Sequence, residues 1–391
     1  MPTKTIGGTL REAYVVDAIR SPIGKRGGGL SEIHPADLGG AVFQALIDRS
    51  GIDPVAVDDV IYGCVSQIGA QASNVGRTAW LAAGLPECVP ATTVDRQCGS
   101  SLQALAFAAQ GVMAGAYDLA IAGGVEVMSR VPIMSPPTIG AEAGLGRPSE
   151  AEGWRRRFGG EEISQFRGAE LIADRWELSR ADLEEYALRS HQLAASAWDE
   201  GRHGDEVVPV AGLEIDEGFR REASLEAMRK LQPIPGREKL TAAVASQVSD
   251  GASAALIASP EAVERHGLTP RARIHSLAVV GDDPVYMLTG PIPATRAVLE
   301  RGGLTLDEID RFEVNEAFAS VVLAWAKEIG APLERTNVNG GAIALGHPLG
   351  ATGTKLVATL LAELERSGGR YGLLAICEGG GTANAAVLER L

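Results

Sequence analysis

The chain has 391 residues, which is more than one ordinary domain holds and predicts two or three domains. Its formal charge of −14 argues against a nucleic-acid-binding protein, and four cysteines are too few for a disulfide scaffold. No apolar run approaches the roughly 20 residues that span a membrane, and neither MPTKTIGG at the start nor VLERL at the end is a targeting signal. We therefore expect a cytoplasmic protein that binds neither nucleic acid nor membrane.

The first third of the chain alternates strand-like and helix-like patterns. The predicted strands cover 13–19, 58–65, 91–97 and 117–128, and the predicted helices cover 36–51, 73–83 and 99–114. No charged residue occurs from Gln97 to Tyr117, and a helix that is apolar all round is a buried helix. Alternation of this kind indicates an α/β fold with the last of these helices between layers.

The character of the sequence changes at 129–248, which is charged and contains the proline-rich RVPIMSPP. Its best-marked helix begins at Ser179, with Asp182 in the capping-box position. The α/β pattern returns at 249–259, and a second unit follows. We predict an N-terminal half of residues 1–128 and 249–270, an inserted domain at 129–248, and a C-terminal half at 271–391.

The second unit repeats the order of the first. Residues 93–124 and 337–380 each read as a strand, a turn of small residues, a buried helix and a second strand. If the halves are related by internal duplication, the turns that carry Cys98 and His347 occupy comparable positions. The two halves would then face one shared site.

The turn in the second unit, VNGGAIALGHPLGATG at 338–353, places His347 among five glycines and no other ionisable group. Glycine permits positive φ angles and the close approach of neighbouring groups. A histidine that merely fills a core needs no such neighbours. The stretch therefore predicts a tightly bent loop that holds one imidazole against a reacting group.

Two of the four cysteines stand where a thiol can react. Cys98 directly precedes the buried helix, whose N–H groups and dipole favour a thiolate, although a buried structural cysteine is an equally good interpretation of position alone. Cys377 ends a predicted strand and precedes three glycines, which could present an oxyanion hole but, taken alone, indicate a tight turn. Cys64 and Cys88 lack such neighbours and are predicted to be structural.

Other patterns limit the chemistry. The sequence has no CxxC pair and no HExxH motif, so no metal site is predicted, and its glycine runs do not match a nucleotide-binding loop. Asn315 and Glu316 stand at the predicted start of an amphipathic helix, where an asparagine is more often a cap than a catalytic group.

Four blocks of the sequence together resemble the thiolases: RQCGSS around Cys98, VNEAFA around Asn315, NVNGGAIALGHPLGATG around His347, and CEGGGTANA around Cys377. RSPIGKR at 20–26 and SQVSDGA at 246–252 are similar to the same family, so the resemblance covers nearly the whole chain in order. It implies a duplicated five-layer αβαβα core with an inserted loop domain. It also implies an acyltransferase that cleaves a 3-ketoacyl-CoA with CoA, or runs the reverse Claisen condensation, through an acyl-cysteine.

The resemblance implies a role for each residue of these blocks. Cys98 would be the nucleophile, and His347 would activate its thiol. Cys377 would be the second acid and base, protonating the acetyl-CoA carbanion and later deprotonating CoA. One oxyanion hole would consist of His347 and a water held by Asn315, and a second would consist of the N–H groups of Cys98 and Gly379.

Coenzyme A is expected as a co-substrate beside the acyl-CoA, and the resemblance implies no tightly bound cofactor. It implies CoA contacts at Ser246 and, in a loop that aligns poorly, at Arg220. The basic run from Arg155 to Arg157 could meet CoA phosphates, although a solvated surface run is the commoner case. Thiolases are commonly dimers or tetramers, so a homodimer or homotetramer is expected.

Some positions depart from the common thiolase pattern. Asp95 stands where many thiolases have asparagine, 242–244 replaces TAGN-type residues, and QFRGAELIA at 165–173 replaces MGxTAE. The last segment, with RSPIGKR, VYMLTGP and NEAFASVVLAWA, more closely resembles degradative thiolases of actinobacterial steroid side-chain breakdown. Two alternatives stay open, namely a thiolase-like lipid carrier or scaffold without turnover, and a decarboxylating ketoacyl synthase, which uses one cysteine and two histidines.

Overall fold

The computed structural model describes residues 11–391, so the first ten residues of the predicted N-terminal half lie outside the described residues. The strands are β1 (Tyr14–Arg20), β2 (Gly24–Lys25), β3 (Asp59–Gly63), β4 (Ala91–Val94), β5 (Leu119–Val127), β6 (Ser249–Ala258), β7 (Ala272–Gly281), β8 (Arg311–Val314), β9 (Tyr371–Glu378) and β10 (Thr382–Arg390). The helices are α1 (Pro35–Ser50), α2 (Val75–Ala82), α3 (Ser100–Met113), α4 (Ser135–Glu142), α5 (Glu152–Phe158), α6 (Gln165–Arg175), α7 (Arg180–Asp199), α8 (Leu225–Arg229), α9 (Pro260–His266), α10 (Pro291–Gly302), α11 (Ala319–Ile329), α12 (Ala342–Leu345) and α13 (Thr352–Ser367). Within residues 11–391, no helix combines the length and apolarity needed to cross a bilayer.

The predicted duplication is visible in the order of the strands, which is β4-β3-β5-β6-β1 in the first half and β7-β10-β9-β8 in the second. Both halves thus place their first strand, β1 or β7, beside their last strand, β6 or β10. The two halves join where β1 pairs with β7 in antiparallel register, Tyr14 opposite Arg273 and Val15 opposite Ala272. One sheet therefore runs through both halves.

The second half lacks a full counterpart of β4. The strand predicted at the start of 337–380 is wrong, because this part of the chain forms isolated parallel bridges in place of a strand, one between Phe312 and Thr336 and one between Val338 and Gly340. The side chain of Asn337 takes the place of further pairing, since its Oδ1 accepts from the N–H of Val314 and its Nδ2 donates to the carbonyl of Val314, both at 2.8 Å. A side-chain amide of this kind offers the backbone an alternative to a ladder.

Helices α3 and α13 form the middle layer, as the absence of charge in 97–117 predicted for α3. They contact each other and strands of both halves, and their apolar residues belong to one core cluster with residues such as Ile257, Leu374 and Leu388. Helices α1 and α2 cover the outer face of the first half, and α10 and α11 cover that of the second. The result is the expected order of helix, strand, helix, strand and helix layers.

The region 129–248 contributes α4 to α8, and α7 begins at the predicted capping box of Ser179 and Asp182. Helix α7 is tied to the second half through the buried carboxylate of Glu316, which accepts from Tyr186 Oη (2.8 Å) and Ser190 Oγ (2.7 Å). This contact anchors the region against the loop that follows β8. The domain boundaries given above stay a prediction.

Candidate active site

The loop that carries His347 is held against the first turn of α3. A Cβ atom at Gly353 would lie 2.1 Å from the amide nitrogen of Leu102, so only glycine lets the two segments approach this closely. Gly346 has a φ of 105°, a backbone angle that residues with a side chain rarely adopt. Glycine is therefore favoured there by the backbone conformation. The prediction of a tightly bent loop is confirmed, and its glycines bring the loop that carries His347 against the helix that begins beside Cys98.

The hydrogen bonds of His347 determine which of its nitrogens carries the proton. Nδ1 lies 2.6 Å from Thr352 Oγ1, and that hydroxyl donates to the carbonyl of Pro348 at 2.9 Å. Because the single hydroxyl proton is used there, Thr352 accepts from Nδ1–H and leaves Nε2 with a lone pair. Burial, and to a smaller degree the charge of Lys355, lowers the pKa of His347 to about 3. His347 is therefore a neutral imidazole with Nε2 free to accept a proton.

Asn315 Nδ2 donates a hydrogen bond to this unprotonated nitrogen, at 3.3 Å from His347 Nε2. The prediction that Asn315 stands at a helix start is wrong, because α11 begins at Ala319 with Phe318 as its N-cap. Asn315 instead lies in the loop after β8, where its Oδ1 is buried without a hydrogen-bond partner among residues 11–391. Such an atom accepts a hydrogen bond from water where space allows.

Thr352→Val is expected to lower kcat by about one to two orders of magnitude, because it leaves the buried Nδ1–H of His347 without an acceptor, at a cost of about 1–3 kcal/mol. Steady-state kinetics will measure the loss. Thr352→Ser keeps the hydroxyl and should restore most of the rate. Thr359→Val, a buried threonine on the same helix, is the matched control, and an equal loss there would contradict the tautomer argument.

Cys98 lies between β4 and α3, with Gly99 as the N-cap of the helix. The N–H groups of Cys98 itself and of Gly379 favour its thiolate, but burial and the carboxylate of Glu378 outweigh them and raise the pKa of Cys98 to about 12. The N–H groups at the helix start thus act in the expected direction, but burial and Glu378 have the larger effect on the pKa of Cys98. The contact with Gly379 joins the first half of the chain to the second at this point.

Cys377 is fully buried near the end of β9. Burial raises the pKa of its thiol well above the usual value, and the charge of Cys98 raises it further. The neighbours of the two cysteines are in contact, since a Cβ atom at Gly99 would meet Glu378 and one at Gly379 would meet Gln97. Gly380 and Gly381 have φ angles of 84° and 75°, so the chain turns sharply directly after them into β10. The structure thus brings Cys98, Cys377 and Gly379 into one cluster.

Sequence reasoning missed Glu378, whose buried carboxyl group lies against Gly99. The sequence feature that could have identified it was an acidic residue inside an otherwise small and apolar block, CEGGG.

The two remaining cysteines differ from each other. Cys64 is buried, as a structural cysteine should be, whereas Cys88 is exposed and fills no core.

A cavity of about 400 Å³ opens between the inserted region and the glycine-rich loop. Arg220 lines it, as do Gln247 and Ile343, whereas Ser246 lies beside the lining without being part of it. The exposed guanidinium of Arg220 makes no ion pair with any residue that the structure describes, and Gln247 donates to the carbonyl of Ile343 at 2.9 Å. The cavity therefore runs from the positive charge of Arg220 toward the loop of His347.

The basic run from Arg155 to Arg157 lies on α5 at the protein surface, apart from this cavity. Arg156 pairs with Glu152 one turn earlier, which is typical of a solvated helix face. Residues 11–391 contain no cluster of histidine, cysteine or carboxylate side chains arranged to hold a metal ion.

Two family matches cover almost the whole chain. The thiolase N-terminal domain matches residues 13–261, and the thiolase C-terminal domain matches residues 268–390. The chain is 57% identical over 390 residues to a steroid 3-ketoacyl-CoA thiolase, FadA6, of Mycobacterium tuberculosis, covering 98% of this chain and 96% of that protein. It is 44% identical to a β-ketoadipyl-CoA thiolase of Pseudomonas aeruginosa, covering 97% of this chain and 100% of the other.

Solved structures are similar over the same extent. An acetyl-CoA acetyltransferase of Bacillus anthracis superposes with a TM-score of 0.90 at 34% identity, covering 98% of this chain and 100% of that one. Human mitochondrial 3-ketoacyl-CoA thiolase in complex with CoA superposes with a TM-score of 0.88 at 34% identity, covering 99% of this chain and 100% of that one.

Proposed function

This chain belongs to the thiolase family, and from that premise we propose how its residues divide the work of the reaction. The protein is an acyltransferase that cleaves a 3-ketoacyl-CoA with CoA, or runs the reverse condensation. The observation that carries the assignment of roles is the cluster of Cys98, Cys377 and Gly379, approached by the loop whose histidine has a free Nε2.

In the first half of the cleavage, Nε2 of His347 takes the proton of the Cys98 thiol, and the sulfur attacks the 3-keto carbon. The carbonyl oxygen becomes an oxyanion for which the N–H groups of Cys98 and Gly379 are donors. When the oxyanion collapses, the bond between C2 and C3 breaks and leaves an acyl-Cys98 thioester. The departing acetyl-CoA carbanion takes the proton of Cys377.

In the second half, Cys377 as thiolate accepts the proton of incoming CoA, and the CoA sulfur attacks the thioester. Acyl-CoA leaves, and Cys98 recovers its proton from His347. Each thiol thus returns to its starting state, which agrees with the raised pKa of both groups. The buried Oδ1 of Asn315 supports a role in holding a water that, with His347, would stabilise the enolate oxygen of acetyl-CoA.

The cavity lined by Arg220 is the proposed site of CoA. The guanidinium of Arg220, which pairs with no carboxylate among residues 11–391, is a suitable partner for a phosphate in a protein whose net charge is −14. The lining of the cavity, which includes Ala245 and Gln247 on either side of Ser246 and Ile343 of the His347 loop, supports passage of the pantetheine arm toward His347. A bound CoA is also present in the similar human mitochondrial structure.

We further propose that the acyl group comes from a steroid, since FadA6 of Mycobacterium tuberculosis is named for steroid 3-ketoacyl-CoA and is 57% identical. The more specific assignment to side-chain breakdown stays a prediction. Thiolysis of a steroid-derived 3-ketoacyl-CoA is expected to exceed that of acetoacetyl-CoA by at least tenfold in kcat/KM. Equal values would contradict this proposal, and a preference for 3-oxoadipyl-CoA would favour the activity of the Pseudomonas aeruginosa relative instead.

The assembly and location of the protein are proposed from the family resemblance. A homodimer or homotetramer is supported by the position of β4 at one edge of the sheet, where its outer hydrogen-bonding groups can pair with another chain. A cytoplasmic location, and the absence of a tightly bound cofactor, are proposed on the same resemblance.

A further inference from the structure

The carboxyl group of Glu378 contacts the backbone directly beside Cys98. Glu378 is the last residue of β9 and is 0% exposed. A Cβ atom at Gly99 would lie 1.9 Å from its Oε1. Gly99 has a φ of −92°, an angle that any residue adopts, so the requirement for glycine there comes from the space that the carboxyl group fills.

Both oxygens of this carboxyl group are held by neutral donors. Thr382 Oγ1 donates to Oε2 at 2.7 Å. With the Asn384 amide oriented so that its oxygen accepts from the N–H of Gln103 (3.3 Å), its nitrogen donates to Oε1 at 3.0 Å. Glu378 makes no ion pair with any of residues 11–391. Its orientation is therefore fixed, while its charge is not neutralised by a contacting cation.

The charged groups that face Glu378 come from the loop before Cys98. Arg96 lowers the pKa of Glu378 and Asp95 raises it, and the hydrogen bond from Thr382 lowers it. Burial exceeds all of these and raises the pKa of Glu378 to about 8. The carboxyl group thus gains its charge within the pH range in which enzymes of this kind are assayed.

The charge of Glu378 acts on both reactive thiols. After burial it is the largest cause of the raised pKa of Cys98, with Glu126 adding a smaller effect, and it also raises the pKa of Cys377. A negative charge in a water-poor site disfavours a second one nearby. The same carboxyl group therefore couples the protonation of two sulfurs that come from different halves of the chain.

We propose that Glu378 is a positioning residue that keeps Cys98 and Cys377 as thiols until each meets its own proton acceptor. A thiol in the empty site is then a poor target for alkylation, because the thiolate is the reactive form. On this basis Cys98 loses its proton to His347 only when substrate is in place. That this delay in deprotonation affects turnover rests on the proposed function of Cys98 as the nucleophile.

The test is alkylation by iodoacetamide across pH 6–10, without any acyl-CoA, on the wild type and Glu378→Gln, followed by peptide-resolved mass spectrometry. Glutamine keeps the shape and removes the charge; its oxygen can still accept from Asn384, and the Thr382 hydroxyl can turn to accept from its NH2 group. Because the pKa of Cys98 lies above this pH range, the alkylation rate constant at each pH follows the thiolate fraction. Above pH 8, where Glu378 of the wild type carries its charge, Cys98 should be alkylated faster in the variant. A Cys98 pKa that is lower by one unit means about tenfold more thiolate, of which about threefold remains as rate after the lower nucleophilicity is included. Exposed Cys88 is the internal reference in the same sample.

Glu378→Asp, which keeps a charge, should return the alkylation rate of Cys98 toward the wild-type value. Thr382→Val is the second variant if Glu378→Gln does not fold, because loss of this donor raises the pKa of Glu378 further and should raise the Cys98 rate near pH 8, in the same direction as the glutamine. An unchanged or lower Cys98 rate in folded Glu378→Gln would overturn the proposal. Since no turnover is needed, lost thiolase activity with faster Cys98 alkylation would instead count against the roles under the proposed function.

Discussion

Replacing Cys98 with alanine is expected to abolish thiolysis, lowering kcat by roughly 10⁴-fold or more, because no other described group can form the acyl thioester at that position. The variant should also lose the acyl adduct that acetyl-CoA leaves on the wild type. Intact-mass spectrometry after incubation with acetyl-CoA measures the adduct directly. Because Cys98 contributes a small, partly exposed side chain, the fold should survive the change.

Cys88→Ala is the matched control for this experiment, since Cys88 is exposed and lies outside the cluster of Cys98, Cys377 and Gly379. Its activity and its adduct should equal those of the wild type. An acyl adduct at the wild-type level on Cys98→Ala would refute the assignment of the nucleophile. Peptide mapping would then identify the residue that carries the acyl group.

Replacing Cys377 with alanine is expected to separate proton transfer from acylation. Acetylation of Cys98 by acetyl-CoA is a thioester exchange that forms no carbanion, and a CoA thiolate can leave without help. Removal of a proton from the acetyl methyl group has no such alternative. We expect measurable acetylation of Cys98 to remain while thiolysis and condensation fall by about 10²- to 10⁴-fold, the usual contribution of a general acid or base.

Exchange of the acetyl-CoA methyl protons with deuterated water is the more specific measurement for Cys377→Ala, and proton NMR follows it in the same sample as the acetylation. The exchange should be lost together with thiolysis. Retained exchange would transfer the role of base to another residue, with His347 the first candidate. A thermal melt by circular dichroism checks that the cluster around Gly379 has not collapsed, because loss of both signals in an unfolded variant says nothing about roles.

The strongest sequence predictions came from patterns that depend on local physics. The glycines around His347 predicted a bent loop, and the absence of charge from Gln97 to Tyr117 predicted that α3 is buried. Both hold in the structure, because close approach and burial restrict which residues a segment can contain. The capping box at Ser179 was equally local and is confirmed.

The features that the sequence did not predict have a different cause, since they depend on partners distant in the sequence. The effect of the α3 dipole on Cys98, about 0.3–2 kcal/mol in general, is outweighed by burial and by Glu378 from the other end of the chain. The missing strand at 337 depends on the side chain of Asn337 reaching Val314. No pattern within one segment contains that information.

The central position of α3 and α13 also determines when folding can be completed during translation. A ribosome releases α3 long before α13, so for most of synthesis one apolar face of α3 has no partner in the nascent chain. Gly379 and Cys377 are made later still, so the nucleophile is synthesised well before the groups that tune it. The first half therefore cannot complete its core or the catalytic cluster until the second half has been synthesised and packs against it.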